Sequence, residues 1–209
     1  MLKDLRKQYD RSTLNESNIL KNPFQQFKLW LSEAINTEES EPNAMVLSTV
    51  DAEWQPHGRM VLLKELTDEG FVFFTNYKGN KGLQILHNQR VSLLFFWPVL
   101  ERQVRITGNA EKIAEQASDE YFKMRPLFSQ IGAWASPQSR KIPSRDFLDK
   151  QFEYYKHKFE TEVPRPPFWG GFLVRPKTFE FWQGRPDRMH DRLFYTKNDQ
   201  QWEISRLAP

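Results

Sequence analysis

The sequence predicts an α+β fold organised around one antiparallel sheet that curls toward a barrel. Three observations lead there. Segments rich in Val, Leu, Phe and Thr follow one another between residues 44 and 113, and again between 168 and 206. Short turns such as Thr67-Asp-Glu-Gly70 join neighbours, which is the pattern of hairpins. Helical patterns stand between groups of strands instead of alternating with each one, so parallel βαβ units are not expected. A sheet of many antiparallel strands protects its edges best by closing.

Residues 1–21 are polar and read as an arm, and residues 22–209 read as a single domain. Asn22-Pro23 starts a helix, with Asn as N-cap and Pro at the first helical position. Phe24, Phe27, Trp30, Leu31 and Ala34 follow helical spacing, so that face is expected in the core. Strands are expected at 44–50, 58–66, 71–75, 90–97 and 100–113, with a short helix at 80–87. Helices follow at 115–124, 127–134 and 144–159. After the proline-rich connector 163–167, strands return at 168–174, 178–183, 192–196 and 202–206.

A chain of 209 residues buries roughly 70% of the surface its unfolded form exposes. With 17 Phe, 7 Trp and 6 Tyr, much of that area is aromatic. Cysteine is absent, which excludes disulfides, thiolate metal sites and cysteine nucleophiles. Met1 to Arg11 is charged throughout, and runs such as Val91 to Val99 fall short of the ~20 apolar residues of a membrane helix. A cytoplasmic setting is the expectation. The net charge of +3 allows local anion sites without indicating nucleic acid. No Rossmann glycine pattern, P-loop or G-x-S-x-G elbow occurs. His57, His87, His157 and His190 lie far apart, so no metal site is expected. An enzyme of this composition would rely on an organic cofactor.

The densest chemistry lies in Glu180-Phe-Trp-Gln-Gly-Arg-Pro-Asp-Arg-Met-His-Asp-Arg192. In an extended strand, alternation sends Arg188, His190 and Arg192 to one face, suited to an anionic aromatic ligand. Gly184 and Pro186 equally suit a charged hairpin rim. In Arg59-Met-Val-Leu-Leu-Lys64, alternation separates the two cations onto opposite faces unless a bulge intervenes. Thr75 to Lys81 leads from a strand into a helix start, a natural phosphate seat. Gln103 offers a donor and an acceptor to a heterocycle edge, or simply faces water. Tyr121, Arg125 and Ser129 share helical spacing, although Pro126 interrupts it. Phenol, guanidinium and hydroxyl together suit a phosphate. Gln138-Ser139 lies in a polar loop.

Taken in order, these segments closely resemble the pyridoxine (pyridoxamine) 5′-phosphate oxidase family. The resemblance runs from Leu5-Arg-Lys-Gln-Tyr9 through Asn22-Pro-Phe-Gln-Gln-Phe27, RMVLLK at 59–64, LERQV at 100–104 and Ser129-Gln-Ile-Gly-Ala-Trp-Ala-Ser136. Phe168-Trp-Gly-Gly171, the EFWQG…RMHDR block and the terminal Arg206-Leu-Ala-Pro209 complete it. The resemblance implies a split β-barrel flavoprotein with flanking helices, working as a homodimer with FMN at the subunit interface. Implied FMN contacts are Arg59, Met60, Val61, Leu62, Leu63, Lys64, Phe74, Thr75, Asn80, Lys81, Gln103, Gln138, Ser139, Trp182 and Arg192. Lys64, Tyr121, Arg125 and Ser129 look like the seat of the substrate phosphate. Arg188, Met189 and His190 would lie over the substrate ring, with Arg188 and His190 as the catalytic pair. Arg6 and Tyr9 resemble a segment that covers the site.

The implied reaction moves hydride from C4′ of pyridoxine or pyridoxamine 5′-phosphate to FMN, with dioxygen as final acceptor and pyridoxal 5′-phosphate as product. Hydrogen peroxide is released, with ammonia from the amine. One position departs from the family pattern: Asn80 stands where the residue before Lys81 is typically arginine, and Lys78 is the candidate replacement charge.

Overall fold

A computed structural model describes residues 1–159, 161–199 and 201–209. Helix α1 (Pro23–Ile35) precedes strands β1 (Ala44–Val50), β2 (Pro56–Leu62), β3 (Glu65–Leu66) and β4 (Phe71–Asn76). Helix α2 (Asn80–His87) leads to β5 (Arg90–Trp97) and β6 (Arg102–Lys112). Three helices follow, α3 (Glu115–Met124), α4 (Leu127–Ala135) and α5 (Arg145–Lys158). The chain ends with β7 (Trp169–Gln183), β8 (Asp191–Asn198) and β9 (Gln201–Arg206).

Among the described residues the strands form one sheet in the order β2-β1-β5-β6-β7-β4-β3, with antiparallel pairing. β2 and β3 are neighbours in the chain but lie at opposite ends of that path. Residues 56–62 pair with β1, while Glu65 and Leu66 pair with β4, so the sheet must curl upon itself. The continuous strand expected over 58–66 is therefore broken at Leu63-Lys64. There the Lys64 amide donates to Val72 O at 2.9 Å, and the Leu63 side chain turns into the core.

β7 is the second departure from expectation. Two strands were expected, yet one runs from 169 to 183, pairing first with β4 and then with β8. A bulge opposite Thr107/Gly108 makes this possible: Thr178 pairs with Thr107, Pro176 with Gly108, and Lys177 is the extra residue. Gly108 suits the bulge because a Cβ there would stand 2.2 Å from Arg175 O.

Asn22 caps α1, its Oδ1 accepting from the Phe24 amide at 2.9 Å. The buried stripe Phe24, Phe27, Trp30 and Ala34 then plugs the curled sheet. Phe27 meets Phe71 and Phe95 edge-on at 4.9 and 4.8 Å, and Trp30 meets Phe181 at 5.2 Å. A smaller cluster, Phe122, Ile131, Val163 and Trp169, fastens α3 and α4 against β7. The segment before α1 has a single 3-10 turn at Leu2–Asp4, and its Leu14 and Ile19 join the main core.

Candidate active site

A cavity of about 530 Å³ opens where the broken β2–β3 segment, β4, the start of α2 and the α3–α4 corner meet. Met60, Val61, Leu62 and Lys64 form one wall, and Phe74, Thr75 and Lys81 the floor. Tyr121, Arg125, Ser129 and Gln138 face them. The break at 63–64 resolves the alternation problem, since it lets Lys64 join residues of both strand faces. Pro126 does interrupt the helix, as its sequence position requires, and Arg125 becomes the C-cap of α3. The corner so formed still brings Tyr121, Arg125 and Ser129 to the same cavity.

Charge in this cavity is one-sided. Lys64, Lys81 and Arg125 line it, and among the described residues no Asp or Glu does. The Arg125 Nη1 is buried and has no hydrogen-bond partner among the described residues. Its guanidinium lies 4.6 Å from the Trp169 ring centre. That ring is nearly parallel to Phe74 and Tyr121, which stack at 3.7 Å. Burial lowers the pKa of Arg125, an effect that Tyr121 partly offsets. Burial raises that of the Tyr121 phenol. Lys81 donates to Gln138 Oε1 at 3.0 Å, and Thr75 Oγ1 to the same oxygen at 3.3 Å. Burial first, and the Arg59 charge second, lower the Lys81 pKa.

Arg59 stands behind this wall rather than in the cavity lining. Its guanidinium donates to Leu47 O at 3.1 Å, to Thr49 Oγ1 at 2.5 Å and to Gln84 Oε1 at 3.0 Å. Ser139 is exposed, with its backbone in the left-handed region (φ 66°), next to Gln138. Asn80 is exposed at the first turn of α2. Lys78, the candidate replacement charge, has its Nζ over the Phe168 ring at 5.1 Å, on the wall of a separate cavity.

The 182–192 block forms a different surface. The extended alternation expected for Arg188, His190 and Arg192 does not occur. Pro186–Arg188 forms a tight turn, and β8 begins only at Asp191. Asp187 and Arg188 both have positive φ, 56° and 63°, a conformation that costs about 1–2 kcal/mol per residue. The turn leaves Arg188 and Met189 exposed. His190 Nδ1 accepts from the Arg185 amide at 3.1 Å, an arrangement that the neutral ring with its proton on Nε2 satisfies. Burial, and then the Arg188 charge, lower its pKa. His190 packs 4.6 Å from Trp182, and Tyr9 of the arm covers both rings edge-on. Arg6 is exposed. Gln103 sits across the β6–β7 ladder from Trp182. Arg192 is turned to the buried Glu180 at 2.9 Å and to Ala208 O at 2.8 Å. None of these residues lines the cation cavity of the same chain.

Residues 31–159 match the family profile described as pyridoxamine 5′-phosphate oxidase. Residues 169–209 match that of the pyridoxine 5′-phosphate oxidase C-terminal dimerisation region. The chain belongs to the pyridoxine/pyridoxamine 5′-phosphate oxidase family. A pyridoxine/pyridoxamine 5′-phosphate oxidase of Cupriavidus taiwanensis is 51% identical over 209 residues, covering 100% of this chain and 99% of its own. That of Bordetella pertussis is 52% identical over 207 residues, covering 99% and 98%. The structure of PhzG from Burkholderia lata, in complex with tetrahydrophenazine-1-carboxylic acid, superposes with a TM-score of 0.89 at 26% identity. It covers 95% of this chain and 98% of that one. The curled antiparallel sheet with flanking helices is thus the family's fold. Met124, Pro126 and Trp169 complete the cavity; the sequence marks Pro126 only as a helix break and Trp169 only within the FWGG motif, and nothing in it points to Met124.

Proposed function

We propose that this member of the pyridoxine/pyridoxamine 5′-phosphate oxidase family converts pyridoxine and pyridoxamine 5′-phosphates to pyridoxal 5′-phosphate, using FMN and dioxygen. The observation that carries the reading is the cavity with three cations, no carboxylate and a buried guanidinium nitrogen left without a partner. Lys81 and Arg125 are half-buried and Lys64 is exposed, so an anion entering the cavity meets charge of one sign, and phosphate oxygens satisfy guanidinium donors well. The donor set also fits two phosphates. Lys81, with Arg59 beside it and Thr75, Gln138 and Ser139 around it, would hold that of FMN. Lys64, Tyr121, Arg125 and Ser129 would hold that of the substrate.

When bound, FMN supplies the two-electron acceptor for hydride from C4′, and dioxygen reoxidises it with release of hydrogen peroxide. The chain's own part is alignment. Met60, Val61, Leu62 and Phe74 would hold the flavin by apolar contact, and Gln103, Trp182 and Arg192 would add polar and aromatic contacts to it. Arg188 would bring positive charge to the substrate ring and stabilise negative charge that develops there. Neutral His190 presents Nε2–H as a donor. For the amine substrate, hydrolysis of the oxidised product releases ammonia.

The 182–192 surface and the cation cavity are separate in one chain, which supports a site completed by a second copy. The C-terminal match to a dimerisation region supports the same arrangement. Among the described residues no helix is long and apolar enough to cross a membrane, and a cytoplasmic setting accompanies this reading.

The test is direct. Purified protein should carry flavin absorbance, and adding pyridoxamine 5′-phosphate in air should yield peroxide, ammonia and pyridoxal 5′-phosphate in equal amounts. Colourless protein that refuses FMN overturns the cofactor, and bound flavin without turnover overturns the oxidase.

A further inference from the structure

We propose that Glu101 is a positioning residue whose buried carboxylate clasps the N-terminal arm, seats Tyr9 against Trp182 and His190, and so prolongs retention of the phosphorylated substrate. The inference rests on the oxidase reading for its kinetic consequence, but not for the clasp itself.

Glu101 is only 4% exposed, although it belongs to a turn between β5 and β6. Its Oε2 accepts from the amides of Asp10 and Arg11 at 3.0 and 3.1 Å. Its Oε1 faces Lys7 Nζ at 3.3 Å. One carboxylate therefore holds arm positions on both sides of Tyr9. The same residue is tied to the 182–192 surface through its main chain: Glu101 O accepts from the Gly184 amide at 2.7 Å and from Gln183 Nε2 at 3.3 Å. Gly184 makes room for the arm, since a Cβ there would stand 2.7 Å from Tyr9 Cβ. Glu101 also holds a left-handed backbone (φ 56°), unfavourable for a residue with a side chain. A buried acid in a strained conformation, spent on the backbone of a polar arm, contributes little to the core. Its effect falls on the position of Tyr9.

The experiment uses the FMN-loaded enzyme and the variants Glu101→Gly, Glu101→Gln, Tyr9→Ala and Glu101→Gly/Tyr9→Ala. Glycine tolerates the left-handed backbone, so Glu101→Gly should fold with its melting temperature kept. Hydrogen exchange at the Asp10 and Arg11 amides should accelerate at least tenfold. KM for pyridoxamine 5′-phosphate should rise roughly tenfold, as loss of charge-assisted hydrogen bonds implies, while kcat changes little. Glu101→Gln keeps a carbonyl acceptor and should recover part of both effects. The double variant should be no worse than Tyr9→Ala alone, because Glu101 acts through the arm. Unprotected arm amides in the unaltered enzyme overturn the clasp, as do fully additive KM effects. Absent turnover with protected amides overturns the oxidase reading and leaves the clasp standing.

Discussion

The cation cavity and the arm-covered wall handle charge in opposite ways. In the cavity, Lys64, Lys81 and Arg125 face one another with no acid among the lining residues. On the wall, carboxylates hold several of the cations, although among the described residues none holds Arg188. Glu180 takes Arg105 and Arg192, Asp191 takes Arg185 and Arg206, Glu16 takes Arg206, and Glu101 takes Lys7. The Arg206 hydrogen bond lowers the Glu16 pKa to about 2. Pairing spares partly buried charges the cost of standing alone, whereas the cations of the cavity have no acid beside them and are open to an anionic ligand.

The largest expected effect tests the unpaired side. Arg125→Ala should lower kcat/KM for pyridoxamine 5′-phosphate by about a hundredfold or more, as loss of a bidentate phosphate partner implies. Steady-state peroxide assays read this. The apo form of Arg125→Met should melt higher than the parent by calorimetry, because a desolvated cation without a partner is removed. A lower melting point would mean that Arg125 belongs to the scaffold after all.

Arg188→Ala should depress kcat strongly with FMN content retained. Mixed dimers of Arg125→Ala and Arg188→Ala subunits sharpen the comparison. If each site takes its cavity from one copy and its wall from the other, each mixed dimer has one intact site, and activity returns well above either parent. No recovery would put cavity and wall in the same subunit.

His190 gives a smaller, pH-dependent effect. Its pKa in the folded chain lies below the ordinary 6.5, so the unfolded chain binds more protons in the interval between the two values. Its contribution to stability is complete above 6.5 and is lost as pH falls through the folded value. kcat should follow the same limb if the neutral ring is the working form, with a plateau through pH 7–8. In Arg188→Ala the limb should move upward, since a nearby positive charge is gone; NMR titration of His190 reads this independently. The smallest effect is at Asn80. Asn80→Arg should tighten FMN only a few-fold, on the order of 0.5–1 kcal/mol, because the position is exposed. Fluorescence titration of the flavin decides it.

Much of the fold was legible in local patterns. β1 and β5 occupy the expected residues because apolar alternation reports which face is buried. α2 and α3 match as well, and α1 begins where Asn22-Pro23 directs. Family motifs point to most of the residues that line the cavity, such as Lys64, Lys81, Tyr121, Arg125 and Ser129, but not to Met124.

What the sequence determined by itself was therefore the identity of the elements, the apolar faces and the stock of cations and aromatics. Tertiary structure alone decided the break at Leu63-Lys64, the continuous β7, the left-handed turn at 187–188 and the separation of cavity from wall. The physical reason is range. Periodicity encodes the surroundings of a residue within one element. Whether Lys64 and Arg125 line one cavity, or Glu101 meets Asp10, depends on sheet curl and strand register, which arise from contacts distant along the chain.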